Sequence, residues 1–272
     1  MIKFIIVKKN IFLRNYYERL INKYKFKKTL VIIDEIRNFK KYKLKKNEFK
    51  ILIDSPFFKD NNFFKFYINN INLNTQNLLK INSNEINKFE SRFNYKYSNE
   101  WRINKEGYIL ILLSNSNGWY KKYPIIKLNN LMTLIKIIRK VSNKEIKIKL
   151  HRKDYKYLTK EFIQSFEKEN CYFIMEQYID LDVTNIYCII SDMTFYAFKF
   201  AFQGIPLFNF TKDIWNNIPI KDIALNELSM LNPDNINFEK IMNRNNFFNK
   251  MLTYHFSTDS DELLDKLEFI LN

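Results

Sequence analysis

From residue 107 to residue 210, short apolar runs of strand length alternate with amphipathic stretches of helical period, and this alternation restricts the fold more than any other feature. "GYILILLS" (107–114), "IKIKL" (146–150), "CYFIM" (171–175), "IYCIIS" (186–191) and "IPLFNF" (205–210) read as strands. "LNNLMTLIKIIRKV" (128–141), "YLTKEFIQSFEKE" (157–169) and "TFYAFKFAFQ" (194–203) read as helices between them. Strands joined through helices form parallel sheets with both faces covered. The opening of the chain repeats the idea in reduced form. "IKFIIV" (2–7) is a strand, "IFLRNYYERLINKY" (11–24) a helix, and "TLVIID" (29–34) and "FKILID" (49–54) two more strands. No glycine stands in the first strand-to-helix turn, so the dinucleotide fingerprint is absent.

Residues 57–100 are Asn-rich and aromatic without clear period, and read as irregular structure or short helices joining two halves. Two helical stretches, 238–256 and 259–271, finish the chain, the second opening on a cap at Asp259 or Ser260. The expected division is a basic N-terminal domain over 1–100 and a second domain over 101–272 that includes these helices. No internal repeat is visible.

A chain of 272 residues with 46% hydrophobic content can bury such cores. No apolar run reaches membrane-spanning length, and "MIKFIIVKKN" is too short and charged for a secretory signal. Cys171 and Cys188 lack metal-type spacing and read as buried free thiols of a cytoplasmic protein. With His151 and His255 the only histidines, a multi-histidine metal site is not expected. The net charge of +16 is polarised: residues 1–50 hold 16 Lys and Arg against 4 acids, whereas residues 222–272 hold 4 against 9. Coding bias toward lysine raises the total but does not by itself polarise it. The basic end suggests an anionic partner: nucleic acid, anionic glycan or membrane surface. A solvated lysine face is the plain alternative.

Parallel sheets bind ligands at the carboxyl ends of their strands, near the point where strand order reverses. That rule selects the loops at 114–119, 151–154, 191–194 and 210–212. In the first, Gly118 and Trp119 allow close backbone approach to a phosphate, or form an ordinary turn. In "KLHRKD", His151 followed by Arg152 and Lys153 can hold a phosphate oxygen and screen its charge, or form a basic surface loop. In "IISDMTF", Ser191, Asp192 and Thr194 either cap the next helix or bind a diphosphate at its positive end. Gly204 and Pro206 read as a helix stop and a strand start.

Four blocks in order carry a resemblance: "EWRINKEGYILILLSNSNGW", "LMTLIKIIRKVSNKEIKIKLHRKD", "IYCIISDMTFYAFKFAFQGIPLFNF" and "FFNKMLTYHFSTDSDEL". Residues from about 96 to 260 resemble GT-B-type glycosyltransferases, in particular a phage and large-virus family related to capsule-polysaccharide enzymes. The resemblance implies an α/β, GT-B-like fold of two Rossmann-like halves with a cleft between them, the N-terminal half reduced. It implies an acceptor site in the first half and a nucleotide-sugar site in the second. His151, with Lys153 beside it, would lie at the donor phosphates, Thr194 would bind phosphate at its helix start, and Gly204 would shape the wall near the nucleotide. The chain departs from the family pattern at the residues around His151, at Phe195, and at Lys199, where an acid commonly holds the ribose. The expected reaction is metal-independent sugar transfer from a nucleotide sugar, a UDP-sugar first, to an acceptor hydroxyl. No other cofactor is implied. In the acceptor half, Asp34 and Asp54 each end a strand-like run, and either is a candidate base or a turn residue. The basic end makes double-stranded DNA with hydroxymethylated bases one expected acceptor. A surface or capsid polysaccharide is a second, and a non-catalytic nucleic-acid-binding α/β protein is the reading outside enzymes.

Overall fold

The computed structural model describes residues 1–5, 11–25, 27–33, 41–54, 63–68, 80, 82–102, 104–113, 128–175, 181–191, 196–209, 249, 252–253 and 255–271. The chain forms two compact units, one of residues 1–94 with 248–272, the other of residues 95–247.

The second unit holds a five-stranded, fully parallel sheet. Its strands are β5 (Tyr108–Leu112), β6 (Ile146–Lys149), β7 (Cys171–Phe173), β8 (Ile186–Ser191) and β9 (Leu207–Asn209), in the order β7-β6-β5-β8-β9. Every residue of β8 and all but the first of β5 are buried, so both faces of the central pair are covered. On one face, α3 (Leu128–Arg139) sets Leu131, Leu134, Ile135 and Ile138 against Ile109, Ile111, Ile148 and Ile190. The three- and four-residue spacing of these helix residues makes one apolar stripe, and the two-residue spacing of the strand residues makes one sheet face. α4 (Lys160–Glu167) is capped by Thr159, whose Oγ1 accepts from the Phe162 N–H at 3.2 Å, and it adds Phe166 to the same core. Arg139 closes this end of the unit by donating to the carbonyls of Ser142, Lys144, Glu169 and Asn170 at 2.7–3.1 Å. Burial raises the thiols of Cys171, to about 11, and Cys188, as expected of unreactive core cysteines.

The first unit is a mixed sheet in the order β1-β2-β3-β4-β10. β1 (Ile2–Ile5), β2 (Thr29–Ile33) and β3 (Glu48–Asp54) are parallel neighbours, with α1 (Ile11–Lys23) between the first two. β4 (Phe63–Ile68) runs antiparallel to β3, and β10 (His255–Ser257) antiparallel to β4. Tyr16, Tyr17 and Leu20 of α1 pack with Leu30, Ile32, Ile51, Phe66 and Phe256. α2 (Ser83–Phe93) starts at Asn82, whose side chain accepts from the Glu85 N–H at 2.8 Å. α6 (Glu262–Leu271) supplies Leu263 and Leu267.

Three sequence expectations differ from this architecture. Residues 57–100, expected as irregular structure or short helices, do contain a helix of eleven residues but also the strand β4. Residues 255–257 are strand rather than helix, because they pair with β4 in the register His255 to Lys65. The tail 248–272 belongs with the first unit rather than with 101–247. There Lys266 Nζ donates to the carbonyls of Leu252 and His255, and pairs with Glu262 at 2.9 Å.

Asparagine does the work of glycine in this glycine-poor chain. Asn47, Asn94 and Asn170 take positive φ (66°, 54° and 54°) where a helix or turn ends, the residue type that best tolerates that region after glycine.

Candidate active site at the carboxyl edge of the second sheet

Counting from β5, the parallel sheet has the order three-two-one-four-five, and its direction of winding reverses between β5 and β8. The carboxyl ends of those two strands lie side by side, with Leu112 in register with Ser191. The Leu113 N–H donates to the Lys149 carbonyl at 3.0 Å, which brings the end of β6 to the same edge. His151 follows two residues after β6, and Ser191 closes β8. The structure therefore gathers His151, Arg152, Lys153 and Ser191 at one edge. Gly118, Trp119, Asp192 and Thr194 lie outside the described residues.

The turn carrying His151 is built from its own backbone. The Asp154 N–H donates to the His151 carbonyl at 2.8 Å and the Tyr157 N–H to the Asp154 carbonyl at 3.0 Å. Tyr155 Oη donates to the Ile174 carbonyl at 2.7 Å, tying the following 3-10 turn to the segment after β7. The Lys153 N–H donates to His151 Nδ1 at 3.2 Å. An imidazole nitrogen that accepts is unprotonated, so the proton of the neutral ring sits on Nε2. Partial burial holds the His151 pKa below its ordinary value. The nearby Lys153 and Arg152 charges push the same way, and Asp154 opposes them. Protonating Nδ1 would also break the bond from Lys153. Near neutral pH, His151 is thus an uncharged ring offering one N–H donor. Arg152 and Lys153 beside it are exposed cations.

Asp154 was not singled out from the sequence as a site residue, yet it is 2% exposed directly beyond a strand end. The signal in the sequence is a single acid closing the basic run "HRK" directly after a strand.

Gly204 sits elsewhere. Its φ is +95°, its N–H donates to the Ala201 carbonyl at 3.0 Å, and the Ile205 N–H donates to the Phe200 carbonyl at 3.0 Å. These two bonds form a Schellman stop for α5 (Tyr196–Phe202). A Cβ at this position would lie 2.7 Å from the Glu100 carbonyl oxygen and 2.8 Å from Ser98. α5 begins after the carboxyl end of β8 and returns the chain to the start of β9, so Gly204 lies at the amino edge, across the sheet from His151. In the same helix, Lys199 is buried among the rings of Tyr95, Tyr196 and Phe200, with Nζ 4.2–5.4 Å from their centroids. A cation packed this way is part of the fold, which accounts for lysine where the resemblance expects an acid.

The chain resembles the KpsC beta-Kdo 2,7-transferase of Thermosulfurimonas dismutans over its whole length. The TM-score is 0.57 with 11% identity, across 100% of this chain and 99% of that one. The chain is GT-B-like. The two sheets suit that description, each a Rossmann-like half, the second fully parallel and the first reduced to three parallel strands with two antiparallel additions. Slighter likenesses link the GT-B-like chain to the wall teichoic acid polymerase TagF (TM-score 0.34, 12% identity, 100% of this chain and 87% of that one). Another is to the Gap123 glycosylation-associated protein complex of Streptococcus agalactiae (TM-score 0.30, 14% identity, 96% and 57%). No protein-family model and no curated protein matches the sequence.

In the first half, Asp54 closes β3 in register with Lys65, and Asp34 lies outside the described residues. A cavity of about 570 Å³ opens beside α1, lined by Asn15, Tyr16, Glu18, Arg19, Thr258 and Asp259. Among the described residues, no cluster of His, Cys, Asp and Glu could hold a metal, and no helix is long and apolar enough to cross a membrane.

Proposed function

We propose that this protein is a glycosyltransferase that moves a sugar from a nucleotide-sugar donor, a UDP-sugar first, to an acceptor hydroxyl. The observation that carries the reading is the neutral His151, with its Nε2–H free of the tautomeric alternative, beside the winding reversal of a GT-B-like second half. Breaking the bond from the anomeric carbon to the diphosphate leaves negative charge on the departing oxygen. His151 Nε2–H donates to that diphosphate, and Arg152 and Lys153 neutralise it, together with the hydroxyls and amides of Ser191, Asp192 and Thr194. Gly118 and Trp119, which come after β5 in the sequence, are further candidates for the donor. With these groups balancing the leaving charge, the reaction needs no metal, and excess chelator leaves the rate unchanged. An inverting transfer requires a carboxylate to take the acceptor proton, and Asp34 and Asp54 are the candidates at the carboxyl ends of β2 and β3.

A polysaccharide hydroxyl is the acceptor we favour. The alternative, duplex DNA bearing hydroxymethylated bases, draws its support from the basic first fifty residues. Several of those lysines stand at the amino edge of the first sheet, opposite the carboxyl ends of β2 and β3. A thermal-shift panel of UDP-, GDP-, ADP- and CMP-sugars tests donor use. A rise with one nucleotide sugar, lost on His151→Ala, supports the reading, and no rise with any of them removes it.

A further inference from the structure

We infer that the amino edge of the first sheet is a docking surface for an anionic membrane, separate from the sugar-transfer chemistry. β1, β2 and β3 are parallel, so the segments leading into them share one edge. The Thr29 N–H donates to the Asn47 carbonyl at 2.7 Å and the Leu30 N–H to the Met1 carbonyl at 3.0 Å, so the three strand starts are adjacent. Lys25, Lys27 and Lys28 stand exposed before β2, and Lys41, Lys43, Lys45 and Lys46 stand exposed before β3. Segments 24–28 and 41–47 contain no acid. The nearest one, Glu48, is engaged by Tyr42 Oη at 2.9 Å and by the Lys45 N–H at 3.0 Å. Two neighbouring lysines are outside the patch: Lys23 pairs with Asp261 at 2.6 Å, and Lys50 is buried against the Tyr42 carbonyl. Seven like charges held on one edge cost self-repulsion, which an anionic surface relieves.

The chemistry favours a lipid surface over nucleic acid. The exposed cations in these segments are all lysines, compact point charges without the planar fork that reads phosphate and base edges. Tyr24 and Tyr42 are only half exposed and use their hydroxyls within the fold, so neither offers a stacking platform for bases. Two apolar side chains project at this same edge: Met1 is 70% exposed ahead of β1, and Ile21 is 51% exposed in the last turn of α1. Lysines surrounding exposed apolar groups are the composition of an interfacial anchor.

The test is co-sedimentation of the full chain with vesicles of phosphatidylcholine alone and of phosphatidylcholine with about 30% phosphatidylglycerol, an anionic fraction in the range that draws polybasic segments. The expected result is binding to the anionic vesicles only, abolished at about 0.5 M salt, where exposed charges are screened. The triple substitution Lys43→Ala, Lys45→Ala, Lys46→Ala lowers binding on the order of 100-fold, from the contribution of each lysine near such a surface. A charge-matched triple on the other unit, Lys136→Ala, Lys140→Ala, Lys160→Ala, leaves it unchanged. Equal loss in both triples would show net charge acting without a patch, and would overturn the assignment. So would a failure to bind anionic vesicles, or a DNA duplex that binds more tightly and is lost with the first triple. None of these outcomes depends on donor use, so the sugar-transfer reading stands or falls separately.

Discussion

The two sheets solve the same folding problem differently. The second is parallel throughout, with α3, α4 and α5 joining β5 to β6, β6 to β7 and β8 to β9. The first runs out of parallel strands after β3 and is completed by β4 and by β10, which comes from the far end of the chain. A sheet assembled from neighbours in sequence leaves a local record in the residues. A sheet that borrows its edge strand from the tail does not, because the pairing is specified only when the two segments meet.

Removing residues 248–272 breaks that comparison most severely. β10 and α6 leave together, taking Phe256, Leu263 and Leu267 from the first core. Amide exchange in β1–β4 then accelerates toward the unfolded rate, while β5, β6 and β8 keep their protection. Acceleration in β5 and β8 as well would mean that the tail supports the second sheet directly.

Gly204→Val attacks the second unit instead. A β-branched residue at φ +95°, with its Cβ against the Glu100 carbonyl, costs about 3–5 kcal/mol, and thermal melting reads it as a large loss. Gly204→Asn recovers part of that loss, since asparagine already serves at three positive-φ positions here, but not the part due to the clash. Equal stability of the valine variant would contradict the geometry of the helix stop.

Between these lies the buried pair of the tail. Glu262 accepts from the Ser257 N–H at 2.8 Å and from Lys266, whose ammonium holds the carboxyl below the usual range despite its burial. Glu262→Ala leaves Lys266 buried without its carboxylate and costs about 3 kcal/mol. A depressed carboxylate pKa stabilises the fold at every pH above about 4.5, the unfolded value, and that stability is lost as pH falls through the folded pKa. Urea melts of the wild type below pH 4.5 should therefore approach those of Glu262→Gln, and parallel pH profiles would refute the pairing.

The His151 effect on stability is the smallest. Its folded pKa is depressed, so its contribution is complete above about 6.5, the unfolded value, and declines as pH falls through the folded value. A His151→Ala variant loses that decline while remaining folded.

How much of this was legible follows from the same contrast. β8 at 186–191 is buried at every position, and its continuous apolar run marks both ends of the strand. The loop beyond β6 was legible too, because His151 follows a strand that alternates buried and half-buried residues. β4 was hidden in an aromatic, Asn-rich stretch whose composition suits turns as well as strands. β10 was hidden because "YHF" continues the spacing of the helix-like residues before it, and only the register with β4 makes it a strand. Gly204 reads as a helix stop and is one, but its distance from the edge that carries His151 depends on the direction in which α5 returns the chain. Lys199 looked like a departure within a site, and its aromatic surroundings include Tyr95, a residue from outside the helix.

Calorimetric titration of the wild type and His151→Ala with UDP-sugars at pH 7.5 tests the central claim most directly. The account predicts saturable binding to the wild type and affinity reduced roughly 10- to 100-fold in the variant, the worth of one hydrogen bond to a charged phosphate. Identical affinity in the two proteins, or no heat from any nucleotide sugar, would contradict the placement of the donor at the carboxyl edge of the second sheet.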